Sequence, residues 1–346
     1  MIDEPAALAA SELNGGNEPN GASEPNGEVL LEAEGLARYY TSRGPWGAER
    51  KAAAVEDVSL RILRGETLAL VGESGCGKST TARLLLGLEP PTSGTVRYRG
   101  RDLGSMSRTE LLGFRRRVQL VFQDPFGSLN PRMTIGGMLG EVLSVHALAA
   151  GAERGRRITE LLGLVGLGPE AAERYPHEFS GGQRQRIGIA RALAVEPDII
   201  VADEPVSALD VSIQAQVLNL LADLQERLDL SYLFIAHDLA VVRQVADRVA
   251  VMYAGRIVEA SDAAALYHEP LHPYTRSLLA AVPRPRPPTE KRKVPDLREG
   301  ADPPGRPTGC PYLGRCRHPA RDEECSLALP LLEERSPGRW VRCIKT

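Results

Sequence analysis

The sequence predicts an α/β protein built on a parallel sheet, and three observations carry that prediction. Short apolar runs at Leu68–Val71, Ile199–Ala202, Tyr232–Ala236 and Val249–Tyr253 alternate with segments of helical period. Leu68–Val71 is hydrophobic at every position, as expected for a strand covered on both faces. A glycine-rich loop, Gly72–Ser79, separates that run from a helical segment.

In chain order, residues 1–28 are rich in Ala, Gly, Asn, Glu and Pro and lack an apolar period. Such a segment buries too little surface to offset the entropy of ordering, so a disordered tail is expected. Val29–Leu36 and Val55–Ile62 read as strands around a Gly/Pro loop at Gly44–Gly47, and Gly94–Tyr98 as another before a turn at Gly100–Asp102. Ser79–Leu88 has helical spacing and ends before Glu89-Pro90-Pro91. Gln119–Phe122 is a short strand. From about Met133 to Tyr175 the period is helical, with breaks expected at Gly151, Gly155, Gly166 and Gly168. Arg184–Ala194, Val211–Leu228 and Leu239–Ala246 complete the helices. After Pro283 a Pro/Arg-rich linker leads to a cysteine-bearing tail.

Composition excludes several classes. Charged residues make up 25% and hydrophobic ones 42%, which is ordinary for a globular protein. The net charge of -3 supplies no basic field for nucleic acid. No uninterrupted apolar stretch reaches the ~18 residues of a membrane span. Asp3 and Glu4 replace the basic start of a secretory signal, so a cytosolic chain is expected, serving any membrane through other subunits.

Gly72-Glu-Ser-Gly-Cys-Gly-Lys-Ser79 fits G-x-x-x-x-G-K-S between a strand and a helix, the context that gives the pattern its meaning. Gly72, Gly75 and Gly77 permit positive φ and close backbone approach to phosphates, with the helix N-terminus behind them. Lys78 is expected on the β- and γ-phosphates and Ser79 on Mg²⁺. Cys76 reads as a small packing residue; with Ser74 and Thr80 it is counted among the nucleotide-contacting positions. Asp203 and Glu204 leave the end of a hydrophobic strand, one to hold Mg²⁺ through water and the other to orient the attacking water. The competing reading is a solvated acidic turn before Pro205.

Ser180-Gly-Gly-Gln183 precedes a helix, and a hydroxyl with bare glycine amides there makes a second anion site. One chain already has a phosphate loop, so this surplus site implies a phosphate held by a second chain; a simple N-cap is the alternative. His237 ends the strand Tyr232–Ala236 on the side of Asp203, and Gln123 follows the strand Gln119–Phe122. Each is either a γ-phosphate sensor or an ordinary polar residue.

In this order the motifs resemble the nucleotide-binding subunits of ABC transporters, over about residues 29–283. The resemblance implies a phosphate-loop ATPase cassette at 29–262. It has a RecA-like parallel core sheet, an antiparallel β subdomain and a helical subdomain inserted at about 130–185. It assigns Gln123 to the Q-loop and, with Ser79 and Asp203, to Mg²⁺. Ser180, Gly181, Gly182 and Gln183 become the family signature, Ser207–Asp210 the D-loop with Asp210 at the nucleotide, and His237 the switch histidine. Tyr40, or its neighbour Tyr39, is the candidate to stack on adenine. Phe179 and Val206 depart from the usual Leu and Thr without removing a ligand.

Phe122–Pro131, His177–Arg186, Asp203–Gln216 and His272–Leu279 are similar to dipeptide/oligopeptide importers, and Val206-Ser207 with Val211-Ser-Ile to the second of their two ATPase subunits. That likeness implies a partner ATPase subunit, two membrane permeases, an external solute-binding protein and a place on the cytoplasmic face of the membrane. Nickel and other small-solute importers share this style. A soluble ABC ATPase is disfavoured by a single cassette without heptads.

Cys310, Cys316, Cys325 and Cys343 have five, eight and seventeen residues between them in the region 263–346. A cytosolic chain rarely keeps disulfides, so four cysteines suggest thiolate ligands. The resembling tails are associated with a [4Fe–4S] cluster; zinc, or reduced unligated thiols, are the other readings.

Overall fold

The computed structural model describes residues 27–43, 49–282 and 308–346. The expected tail up to residue 26, the Gly44–Gly47 loop and the linker after Pro283 lie outside the described residues.

The strands, in order, are β1 (Val29–Arg43), β2 (Glu49–Leu63), β3 (Thr67–Val71), β4 (Ser93–Tyr98), β5 (Arg101–Asp102) and β6 (Val118–Val121). They continue as β7 (Ile199–Asp203), β8 (Ser231–Ala236), β9 (Arg248–Tyr253), β10 (Arg256–Asp262), β11 (Glu333–Ser336) and β12 (Arg339–Val341). The helices begin with α1 (Lys78–Leu85), α2 (Arg108–Arg117), α3 (Pro125–Ser128), α4 (Ile135–Val145), α5 (Gly151–Leu164) and α6 (Gly181–Leu193). The rest are α7 (Val211–Leu228), α8 (Leu239–Val245), α9 (Ala263–His268), α10 (Pro273–Ala281) and α11 (Glu324–Leu327).

Two sheets result: the parallel one that the apolar runs predict and the antiparallel one that the family resemblance implies. An antiparallel sheet runs β2-β1-β4-β5. The larger sheet runs β11-β12-β10-β9-β3-β8-β7-β6, and its β9-β3-β8-β7-β6 portion is parallel. β3 and β8 are buried at every position, which is why their sequences are unbroken apolar runs. Parallel order places the C-terminal ends of β3, β7, β8 and β6 on one side, where ligands bind in open α/β sheets. One hydrophobic core joins the sheet to α4, α5, α6 and α7; a second joins its other face to α1 and the antiparallel sheet. No helix among the described residues is long and apolar enough to cross a membrane.

Where the structure departs from the expected elements, the causes are local. α1 stops at Leu85, and Gly87 takes φ 59 to turn the chain out of it. The break expected at Gly155 does not occur; that glycine lies inside α5, where it costs about 1 kcal/mol relative to Ala without ending the helix. α6 starts three residues earlier than expected, so Gly181 and Gly182 form its first turn. The tail adds strands to the main sheet: β12 pairs with β10 at Ala260↔Trp340 and Glu259↔Val341. Arg342, 2% exposed, donates to the Ile257 and Pro330 carbonyls and pairs with Asp57 at 2.8 Å, tying tail to cassette.

Candidate nucleotide-binding site

The loop between β3 and α1 needs glycine for steric reasons. Gly77 has φ 112, and a Cβ there would meet the Ala54 carbonyl oxygen at 2.3 Å. At Gly72 the same atom would meet the Met252 carbonyl oxygen at 2.2 Å. β2 and β9 thus press the loop from behind, which fixes its curvature. Lys78 is 6% exposed and donates from Nζ to the carbonyls of Gly72 at 2.7 Å and Glu73 at 3.1 Å. These are neutral acceptors, so an anionic phosphate competes well for the ammonium. Cys76 is buried in the core behind the loop, and burial raises its thiol pKa, so its side chain serves packing. Ser74 and Gly75 are exposed, with open space over Gly75; Thr80 is half-buried in α1.

Beside the loop, the Ser79 hydroxyl faces Asp203 Oδ1 at 3.5 Å. Burial holds the Asp203 carboxyl above its ordinary range, partly offset by the Ser79 hydrogen bond. A divalent cation placed between this hydroxyl and carboxylate would remove the desolvation problem. Glu204 takes φ 46, a left-handed conformation uncommon for a residue with a side chain, and its N–H donates to the Ile235 carbonyl at 2.9 Å. That turn aims its carboxylate across the strand ends. Gln123 Nε2 donates to Glu204 Oε2 at 3.0 Å, and His237 Nδ1 lies 3.1 Å from the same oxygen. Three residues from the ends of three neighbouring strands therefore meet at one carboxylate, as their positions after β6, β7 and β8 predict.

Ser180 caps α6: its Oγ accepts the Gln183 N–H at 3.4 Å, and Gln183 Oε1 accepts the Ser180 N–H at 3.0 Å. Gly182 packs on α7, where a Cβ would come within 2.3 Å of Ile213. Asp210 begins α7 and is exposed. The hydrogen bonds of Ser180 and Gln183 join them to each other and not to the phosphate loop.

Tyr40 is 38% exposed; its hydroxyl donates to Glu89 at 2.7 Å, and the Arg38 guanidinium lies 5.0 Å from its ring centroid. The Tyr39 hydroxyl donates to Glu56 at 3.1 Å. The more exposed ring is thus that of Tyr40.

All four tail cysteines are free thiols and line one cavity, with Tyr312 and His318 beside them. Among the described residues no group of three His, Cys, Asp or Glu side chains is arranged to hold a metal ion. Burial pushes the Cys310 thiol up to about 11 and raises Cys316 as well.

Two residues of the loop's surroundings carry no site role in the sequence reading, although Tyr274 lies in the importer-like stretch His272–Leu279. The Tyr274 hydroxyl accepts the Glu73 N–H at 2.9 Å, and Arg315 grips the Glu73 carboxylate. Both come from the last quarter of the chain, so no spacing rule could have found them.

Comparison with known proteins places the chain in a family. Residues 55–207 match the ABC transporter family, and residues 258–325 match the oligopeptide/dipeptide transporter C-terminal region. The chain is 48% identical over 318 residues to a putative oligopeptide transport ATP-binding protein, YkfD, of Bacillus subtilis (strain 168), covering 91% of this chain and 94% of that one. It is 55% identical over 269 residues to the oligopeptide transport ATP-binding protein OppF of the same strain, covering 77% and 87%. Among solved structures, the ATP-binding cassette MJ0796, a dimer in a post-hydrolysis state bound to ADP and Pi, aligns with TM-score 0.60 and 30% identity, over 68% of this chain and 99% of that chain. The chain belongs to the ABC transporter family, as an ATP-hydrolysing subunit of its oligopeptide/dipeptide branch.

Proposed function

We propose that this chain uses ATP hydrolysis to drive uptake of di- or oligopeptides, as one of two ATPase subunits beneath two membrane permeases. An external binding protein would deliver the solute, and the ATPase would sit on the cytoplasmic face. The relatives named for oligopeptide transport support the solute class. The observation that carries the catalytic part is the Glu204 carboxylate held between the Gln123 amide and the His237 imidazole.

In this reading Glu204 orients and deprotonates the attacking water, and His237 and Gln123 sense the γ-phosphate. Lys78 and the loop amides hold the phosphates, while Ser79, Gln123 and Asp203 hold Mg²⁺. Tyr40, the more exposed of the two rings, would stack on adenine. Ser180, Gly181, Gly182, Gln183 and Asp210 serve the ATP of a second cassette, whose own turn serves this one. The Gln123 loop and the helical segment carrying α4 and α5 pass cassette closure to the permeases. The units are a tail at 1–28, the cassette at 29–262 and the cysteine-bearing region at 263–346.

Four free cysteines lining one cavity support an iron–sulfur reading of the tail, although among the described residues they are not arranged as a metal-ligand set. Cys310, Cys316, Cys325 and Cys343 would hold the cluster as thiolates. Such a cluster supplies a rigid anchor for a segment with little core of its own. Anaerobic protein with iron and sulfide near four each per chain is expected; colourless protein with stoichiometric zinc rejects this.

The test of the catalytic reading is Glu204→Gln. It is expected to retain ATP binding, favour a closed dimer and lower turnover by about 10²–10⁴-fold, the usual worth of a general base. Turnover within a few-fold of wild type would refute the role of Glu204.

A further inference from the structure

Glu73 is the one carboxylate within the phosphate loop Gly72–Ser79. A bare carboxylate there would oppose a polyanionic triphosphate, and it could swing onto Lys78, the cation the phosphates need. The structure shows it held otherwise. Arg315, 242 residues later in the chain and adjacent to Cys316, donates from Nη1 to Glu73 Oε2 at 2.8 Å and from Nη2 to Oε1 at 2.7 Å. This is a two-pronged guanidinium–carboxylate pair, the geometry that gives such contacts both strength and direction. Arg315 is itself braced, its guanidinium lying 5.8 Å from the Tyr253 ring centroid and 5.9 Å from that of Tyr312.

The backbone of the same residue is pinned from the same region. The Glu73 N–H donates to the Tyr274 hydroxyl at 2.9 Å, and the Tyr274 ring packs on Tyr253 and Tyr312 with centroids 4.6 and 5.4 Å away. Tyr253 ends β9, Tyr274 lies in α10, and Tyr312 lies between Cys310 and Cys316. Both the charge and the main chain of one loop residue are thus fixed by the region after the cassette.

We infer that Arg315 is a positioning residue for ATP binding: by neutralising Glu73 and holding it off Lys78, it keeps the loop open to a triphosphate. Nucleotide affinity of the cassette then depends on the cysteine-bearing segment that carries Arg315. This rests on the loop being the ATP site, and the two readings fail differently. Unchanged ATP affinity in Lys78→Ala would reject the site itself, whereas variants of Arg315 test only the positioning.

The experiment uses the full chain with MgATP, measuring equilibrium affinity and steady-state kinetics. Arg315→Ala is expected to weaken ATP binding and raise KM about tenfold while leaving kcat within about twofold, because a charge is uncovered at the phosphates and the water-orienting residues are untouched. Adding Glu73→Gln to that variant removes the uncovered charge and is expected to restore affinity to within about threefold of wild type. A purely structural role for Arg315 predicts no such rescue. Affinity of Arg315→Ala within about twofold of wild type, or a double variant no tighter than Arg315→Ala alone, overturns the inference. Should Arg315→Ala not accumulate as folded protein, Arg315→Gln, which keeps a planar donor without charge, is judged by the same two results.

Discussion

Helices α2 and α6 both begin at a serine that closes a capping box, and they differ in the residues of the first turn. At α2, Ser107 Oγ accepts the Glu110 N–H at 3.3 Å while Glu110 accepts the Ser107 N–H at 2.9 Å. The positive end of that helix is already occupied by a carboxylate. Hydrogen bonds from the Ser107 backbone and side chain, and from Arg101, lower Glu110 to about 2. At α6 the reciprocal partner is neutral Gln183, the first turn holds no acid, and Gly181 and Gly182 put no side chain over the amides. The first helix end is closed by a carboxylate; the second has no acid in its first turn. The same capping hydrogen bonds thus leave different charge at the two helix ends, and the proposed phosphate role of Ser180 rests on that difference.

That comparison can be broken by experiment. Ser180→Arg, which places a bulky side chain over the bare amides, is expected to lower turnover by roughly 10²-fold, as loss of an electrostatic stabilising site does. ATP binding to the phosphate loop should persist; full turnover would make Ser180 only a cap. Gln183→Glu, which copies the Glu110 arrangement into α6, should fill the anion site from within and reduce turnover about tenfold by like-charge repulsion. Unaltered turnover there would mean that no phosphate comes to that turn. The smallest effect is expected for Ser107→Ala: about 1 kcal/mol of stability, read by chemical unfolding, with turnover unchanged. A matching loss of turnover in Ser107→Ala would erase the distinction between the two helices.

The strands of the cassette were legible because parallel strands, buried on both faces, leave unbroken apolar runs such as Leu68–Val71 and Tyr232–Ala236. The site was legible for a related reason. Residues that come directly after such strands must emerge together on one side, so Gln123, Glu204 and His237 group by position alone. α2 escaped notice because only Phe114 is buried in it and its run of arginines shows no apolar stripe. β11 is exposed throughout and β12 is three residues long, so neither has an alternation to read. Arg342, a charged residue of the tail, is among the most buried side chains, and its partner Asp57 lies in a distant segment. The Glu73–Arg315 pair is invisible for the same cause: it joins loops 242 residues apart.

β12 also bears on how this molecule should be handled. It covers the backbone of β10 at Glu259 and Ala260, and Arg342 beyond it satisfies the Ile257 carbonyl. Trimming the chain after Ala281 would uncover that strand and leave its amides and carbonyls as a template for intermolecular pairing. A minimal ATPase cut at the family boundary would therefore tend to aggregate, and solubility screens that seek the smallest active fragment should keep the last strand.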